Sequence, residues 1–230
     1  MKEPYVNAYD YVLPVYKRFF DLIMAIFLLI ITWPIWMVIA MLIRVETKGQ
    51  VIYQTKRVGA GRKIFTLYKF RTMCVGADQI VGDMAHLNVY YQDESTAKAL
   101  IFNKFEPDFR VTKMGNFLRI SHLDELPQLV NVIKGEMSIV GNRPLECYEA
   151  EKLINRNETL RFDAPSGMTG LWQVQQYCNK RLMEHERIAL DNQYAVEQSF
   201  GLDILILMKT IPVLFIWSKF SHNDQREVNN

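Results

Sequence analysis

An α+β chain, predominantly helical, is predicted by three features of the 230 residues: an uncharged run from Leu22 to Ile43 interrupted by Pro34, two short β-like runs around a glycine turn, and amphipathic helical stretches after them. The expected architecture is an N-terminal re-entrant membrane helix hairpin with a Pro kink, a small β-hairpin, and amphipathic interfacial helices around a cytoplasmic catalytic core. The expected segments are 1–48 for the arm and re-entrant helix, 49–200 for the cytoplasmic domain, and 201–230 for a C-terminal interfacial helix and tail.

Taken in order, Met1 to Leu13 interleaves Tyr5, Tyr9 and Tyr11 with polar residues and reads as an arm on a membrane surface or a partner. Pro14 opens a helix, and Lys17, Arg18 and Asp21 lead into the apolar run. Roughly 20 apolar residues suffice to span a bilayer, so this run enters the membrane. Pro34 removes a backbone hydrogen bond and crowds the preceding turn, which kinks the helix, and Thr32 stands close enough to satisfy a freed carbonyl. Lys17 and Arg18 flank one end and Arg44 and Lys48 the other, so the positive-inside rule draws both ends to the cytoplasm. A re-entrant hairpin satisfies both pulls; a kinked transmembrane helix is the alternative.

From Gln50 the pattern becomes VIYQ, then Gly59-Ala60-Gly61, then KIFTLYKF, a hairpin carrying Arg57, Lys69 and Arg71. Cys74 to Lys104 is a mixed, partly helical insert in which His86 has no second metal ligand at a useful spacing. Order returns with FRVTKMGNFLRI. After Pro144 an amphipathic helix is expected near Glu146 to Asn157, then a turn and short strand through Pro165 to Val174, then a helix from Arg181 to Gln198. Leu202 to Lys219 is apolar but carries Asp203, Lys209 and Pro212; it reads as a helix lying in the membrane interface, with a buried core helix as the alternative.

Composition narrows the function. Hydrophobic residues make up 50% of the chain and charged residues 23%, which excludes a multi-span transporter and fits a soluble body with a membrane attachment. A net charge of +2 carries no nucleic-acid footprint. The three cysteines, Cys74, Cys147 and Cys178, are too widely spaced for a disulfide framework or a metal knuckle and suit a reducing, cytoplasmic setting. The apolar run starts too far in, without a small-residue cleavage site, to read as a signal peptide.

The chemistry concentrates in Ser121 to Pro144, SHLDELPQLVNVIKGEMSIVGNRP. Ser121 is placed to cap a helix whose first turn holds Asp124 and Glu125. A helix N-terminus depresses carboxylate pKa values and attracts phosphate, so Asp124 is expected to be ionised and ready to attack. The neighbouring acid can then hold a metal ion or move a proton. Two acids that merely complement a helix dipole are the plainer alternative. Arg57, Arg62, Lys69, Arg71, Arg110, Arg119 and Arg143 surround the pair in sequence and suggest a polyanion site, against the alternative of scattered surface arginines. Mg²⁺ held by Asp124 and Glu125 together with substrate phosphates would complete it.

These residues resemble the monotopic bacterial sugar transferases, the polyprenyl-phosphate phosphoglycosyl transferases. The likeness runs over nearly the whole chain: KRFFD at Lys17 to Asp21 with Pro34 downstream, Gln54, Arg57 and Gly59, KFRTM at Lys69 to Met73, LDELPQLVNVIKGEMSIVG with Arg143 and Pro144, GMTGLWQV, and LDILILMKT. The resemblance implies transfer of a sugar-1-phosphate from a UDP-sugar to undecaprenyl phosphate, releasing UMP, at the cytoplasmic face of the bacterial inner membrane, as the first membrane step of glycan assembly. Asp124 would attack the sugar-bearing phosphorus to give a covalent intermediate, with Glu125 binding Mg²⁺ or deprotonating the lipid phosphate. Arg143 and Pro144 would sit on the uridine side, and Gln128 and Asp191 join the substrate-binding candidates. Membrane lipid is an expected partner and a homodimer is compatible with the apolar surfaces.

Phe109 and Asn142 stand where the family usually has proline, His122 where it commonly has serine, and QQYCNKR where it commonly shows a Gly-Arg pair, so a substrate contact there is either lost or replaced by Lys180 or Arg181. Two other classes share the acids, arginines and anchor: a membrane-held assembly protein without turnover, and another membrane enzyme such as a lipid phosphatase or a UDP-releasing lipid glycosyltransferase. The released product separates them.

Overall fold

A computed structural model describes residues 8–77, 108–178 and 182–212. The body of the Cys74 to Lys104 insert with His86, the Lys180 and Arg181 positions, and the chain beyond residue 212 lie outside the described residues.

Helix α1 (Val15–Glu46) is long and apolar enough to cross a membrane, and Pro34 sits inside it without ending it. The residues on both sides of Pro34 thus belong to one helix. Thr32 bonds Leu28 O at 2.7 Å, the ordinary carbonyl four residues back, rather than the Ile30 carbonyl that Pro34 leaves without a donor. The buried positions Lys17, Asp21, Ala25, Ile39 and Ile43 recur at helical spacing and form one stripe. Ala25, with Met24 and Leu28, joins the main core; Ile39 and Ile43, with Trp36, pack on Phe70 and Leu118. Between these two seats Ile30, Ile31, Trp33 and Ile35 are exposed.

Of the residues expected at the membrane flanks, Lys17 and Asp21 at the head of α1 are buried and Arg18 is half-buried, while Arg44 and Lys48 at its other end are exposed. Lys17 is 4% exposed, its ammonium 2.5 Å from Asp203 Oδ2, and Asp203 also accepts from Tyr194 Oη at 2.7 Å. Arg18 donates to the carbonyls of Val132 (2.5 Å) and Ile133 (2.7 Å), near the C-terminus of the helix Gln128–Lys134, where a cation is favoured by the helix dipole. Asp21 is fully buried and accepts from the Ile139 amide at 3.0 Å. Charges at the head of an apolar helix resemble a membrane flank in sequence; partners distant in sequence make them tertiary clamps instead.

The expected hairpin forms. Strands β1 (Ile52–Val58) and β2 (Ile64–Phe70) pair antiparallel, Tyr53 opposite Lys69 and Arg57 opposite Phe65. Gly61 and Arg62 turn the chain with φ of 60° and 59°. Helix α2 (Lys113–Ile120) is capped by Thr112, whose hydroxyl accepts from Gly115 N at 2.9 Å. Gly115 lies so close to the end of the hairpin that a Cβ there would sit 1.9 Å from Thr72 O. Helix α3 (Gln128–Lys134) and strand β3 (Ser138–Val140) follow, and β4 (Leu145–Glu146) joins the free edge of β1. Helix α4 (Cys147–Asn155) begins with a Glu146/Glu149 capping box. Strand β5 (Gly167–Thr169) pairs parallel with β3, and helices α5 (Leu171–Cys178), α6 (Glu184–Glu197) and α7 (residues 200–212) complete the described fold. Helix α7 buries Asp203 and Ile206 in the body and exposes Leu205, Met208 and Ile211.

Candidate active site

Helix α2 ends just before the acid pair, and the way it ends places both carboxylates. Ser121 is its C-cap, not the N-cap of a following helix: its hydroxyl donates back to Phe117 O at 2.8 Å. The open carbonyls of α2 were already within reach, so they claimed it. His122 then adopts φ 56°, a left-handed conformation that histidine tolerates better than branched residues do. The reversal feeds a single 3₁₀ turn, Leu123–Glu125, ahead of Pro127 and α3. The two acids thus occupy a tight connection between helices, facing the end of β2.

Lys69 comes from β2 to meet them, 2.7 Å from Glu125 Oε1 and 3.9 Å from Asp124 Oδ2. Arg143 Nη1 approaches the same Glu125 oxygen at 3.7 Å. Burial alone would raise the Glu125 pKa, but Lys69 and Arg143 outweigh it and hold the carboxyl down at about 2. Asp124, 8% exposed, goes the other way: burial raises its pKa, Lys69 opposes, and the Glu125 charge adds to the rise. The expected depression of Asp124 by a helix N-terminus is therefore reversed, because the turn sits in a buried spot and its neighbour captures the nearer cation.

Arg57, Lys69, Gln128, Arg143 and Pro144 line one cleft with Glu125, Met168 and Gln173. Arg57 is ion-paired to Glu146 on the adjoining strand β4. Arg119 donates to Thr72 Oγ1 at 3.1 Å and acts electrostatically on Asp124 from the α2 side. Arg110 is 7% exposed and forks onto Asp108, with both bonds at 2.8 Å.

Two expected members of the cationic set, Arg71 and Arg62, and the expected substrate contact Asp191 are engaged elsewhere. Arg71 donates to Thr47 O (2.9 Å) and Thr47 Oγ1 (2.6 Å), binding the C-terminal end of α1 to the hairpin. Arg62 turns the hairpin tip beside Tyr9. Asp191, expected to touch substrate, is 0% exposed and lies behind the cleft, 2.9 Å from Arg161 Nη1. Sequence reasoning passed over Arg161, Arg187 and Gln173. Nothing local distinguishes an arginine in TLRFD from a surface arginine; its burial is a consequence of the fold.

A divalent cation would find two adjacent carboxylates here and, among the described residues, no cluster of three His, Cys, Asp or Glu. That donor set suits an ion that keeps several waters and takes one or two carboxylates beside substrate phosphate.

Residues 12–217 match the family model described as bacterial sugar transferase. The chain is 36% identical over 199 residues to the exopolysaccharide production protein ExoY of Sinorhizobium fredii, covering 86% of this chain and 84% of that one. It is 38% identical over 211 residues to the galactosyl transferase CpsE of Streptococcus agalactiae, covering 92% of this chain and 44% of the relative. It is 34% identical over 205 residues to the undecaprenyl-phosphate galactose phosphotransferase of Salmonella typhimurium, covering 86% and 40%. The chain thus spans most of one relative and under half the length of the other two.

Proposed function

Because the chain belongs to the bacterial sugar transferase family and is a phosphoglycosyl transferase, we propose that it moves a sugar-1-phosphate from a UDP-sugar to undecaprenyl phosphate, starting a polysaccharide at the membrane. The observation that carries this reading is the adjacent Asp124 and Glu125 in one turn, opposite Lys69, with Glu125 on the wall of a cleft that Arg57 and Arg143 also line. Cations in that arrangement suit a diphosphate, and the unequal carboxylates suit divided roles.

Asp124 is the nucleophile. Its carboxylate oxygen forms a bond to the phosphorus that bears the sugar, the bond from that phosphorus to the bridging oxygen breaks, and UMP leaves with the electron pair. An oxygen of undecaprenyl phosphate then attacks the same phosphorus and Asp124 is released. Lys69 and Arg143 orient donor phosphate and take up its charge, and Glu125 stays ionised between them. Mg²⁺, when bound by Asp124 and Glu125, neutralises charge on the diphosphate.

Location follows from α1. Both of its seats are on the same body: Lys17 and Arg18 clamp one end, while Arg71 and the Phe70 and Leu118 contacts hold the other. A helix held this way does not carry the body's two ends to opposite sides of a bilayer. It supports a re-entrant insertion in which the exposed residues around Pro34 enter the lipid and the cleft stays at the cytoplasmic face of the inner membrane.

The deciding experiment measures nucleotide released by detergent- or nanodisc-held protein with Mg²⁺, undecaprenyl phosphate and a panel of UDP-sugars. UMP from the wild type but not from Asp124→Asn is the expected result, and the productive donor names the sugar. UDP as the product, or equal turnover by Asp124→Asn, overturns the reading.

A further inference from the structure

Behind the cleft lies a buried charge assembly that no substrate can reach. Arg161 is 2% exposed and Asp191 0% exposed, with Arg161 Nη1 2.9 Å from Asp191 Oδ2. The other end of the same guanidinium, Nη2, donates to the main-chain carbonyl of Arg143 at 2.6 Å. Asn142, 4% exposed, binds the assembly from the neighbouring position: its Nδ2 donates to Arg161 O at 3.0 Å and to Asp191 O at 2.9 Å. Asn142 is also pinned through its backbone, to Pro165 O at 2.9 Å and from Gly167 N at 2.8 Å. This is possible because β3 and β5 approach so closely that a Cβ on Gly167 would lie 2.1 Å from Gly141 N.

Arg187 adds a second reach from the same cluster. It interacts electrostatically with Asp191, and its guanidinium stands 4.3 Å from the centroid of Trp172, the residue preceding Gln173 of the cleft wall. Asp191 thus sits between two arginines, one tied to the Arg143 wall and the other to the Trp172 wall.

We propose that Arg161 and Asp191 are positioning residues of the donor site, acting on substrate through the main chain of Arg143 and not by contact. The inference rests on the reading of Arg143 as a donor-phosphate contact. Buried ion pairs contribute little net stability, so what this pair supplies is placement of a side chain that must meet phosphate with a fixed fork geometry. Asn142 serves the same end, which gives a function to a residue standing where the resembling family usually has proline.

The test is steady-state kinetics on membrane-held enzyme for Arg161→Lys, Arg143→Ala and the double variant, with thermal melting checked in parallel. Lysine keeps the charge opposite Asp191 but cannot fork to both Asp191 and the Arg143 carbonyl. Arg161→Lys should raise donor KM about tenfold with kcat little changed, since small displacements of positioning groups carry costs of that size. Arg143→Ala should raise donor KM at least as much, and the double variant should lose no more than Arg143→Ala alone. Unchanged donor KM in Arg161→Lys, or additive losses in the double variant, overturns the inference while leaving Arg143 as a donor contact. Unchanged KM in Arg143→Ala itself removes that contact and the inference with it. Should Arg161→Lys melt early, Asn142→Ala, which leaves the buried charges in place, is read by the same three outcomes.

Discussion

Asp124 and Glu125 are neighbours in sequence with opposite electrostatics, and the difference comes from one ammonium. Lys69 lies 2.7 Å from Glu125 and 3.9 Å from Asp124, so Glu125 is the better-compensated anion. With Asp124 as the proposed nucleophile, the acid limb of kcat/KM for the donor should lie above the ordinary aspartate value of 3.8, because a nucleophilic carboxyl must first lose its proton. Glu125→Gln should move that limb to lower pH, since the Glu125 charge raises the Asp124 pKa; Lys69→Met should move it higher. A pH profile of UMP burst amplitude and rate checks both directions. Stability runs the other way for Glu125: its folded pKa is below the ordinary 4.5, so its contribution is present above about 4.5 and is lost as pH falls toward about 2. Acid unfolding of Glu125→Gln should be correspondingly shallower across that window. The pair of acids and the cationic partners were legible in the sequence; which acid is pushed up and which is held down was not, because that depends on burial and on the two distances to Lys69.

Among the elements, α1 and α2 carry the most consequence for the site. Lys17 enters the body to meet Asp203 on α7, a buried pair joined by Tyr194. Lys17→Met should cost about 3–5 kcal/mol in denaturant unfolding, because it strands a buried carboxylate, and Lys17→Met with Asp203→Leu should recover a large part of the loss. Helix α2 sets the dyad turn, and its Gly115 admits no side chain against Thr72. Gly115→Ala should shift α2 off the hairpin and reduce turnover about a hundredfold with Asp124, Glu125 and Lys69 all present, as measured by UMP release. The hairpin and the helix after Pro144 were readable from glycine placement and periodicity, whereas the strand expected to follow the Pro165 turn lies within it, at Gly167–Thr169, and Leu171 to Val174 begin helix α5. Ser121 was misread because a serine after one helix and before another satisfies both cap patterns, and only the position of the α2 carbonyls decides.

At the scale of the whole molecule, an apolar helix long enough to span is held at both ends by one polar body, and its exposed middle surrounds Pro34. Single cysteines placed at Tyr16 and at Lys48 in a cysteine-free background should both react with a membrane-impermeant thiol reagent only from the cytoplasmic side. Reaction from opposite sides would establish a spanning helix and sink the re-entrant topology. The sequence by itself determined the α+β class, the apolar helix, the hairpin, the acid pair and the family, because each is written in local periodicity or in contiguous motifs. Tertiary structure alone decided that Lys17, Arg18 and Asp21 are clamps, that Arg71 serves α1, and that Asp191 stands behind Arg143. A charge does not carry its partner in the residues beside it, and burial at 0% exposure is a property of the packed chain.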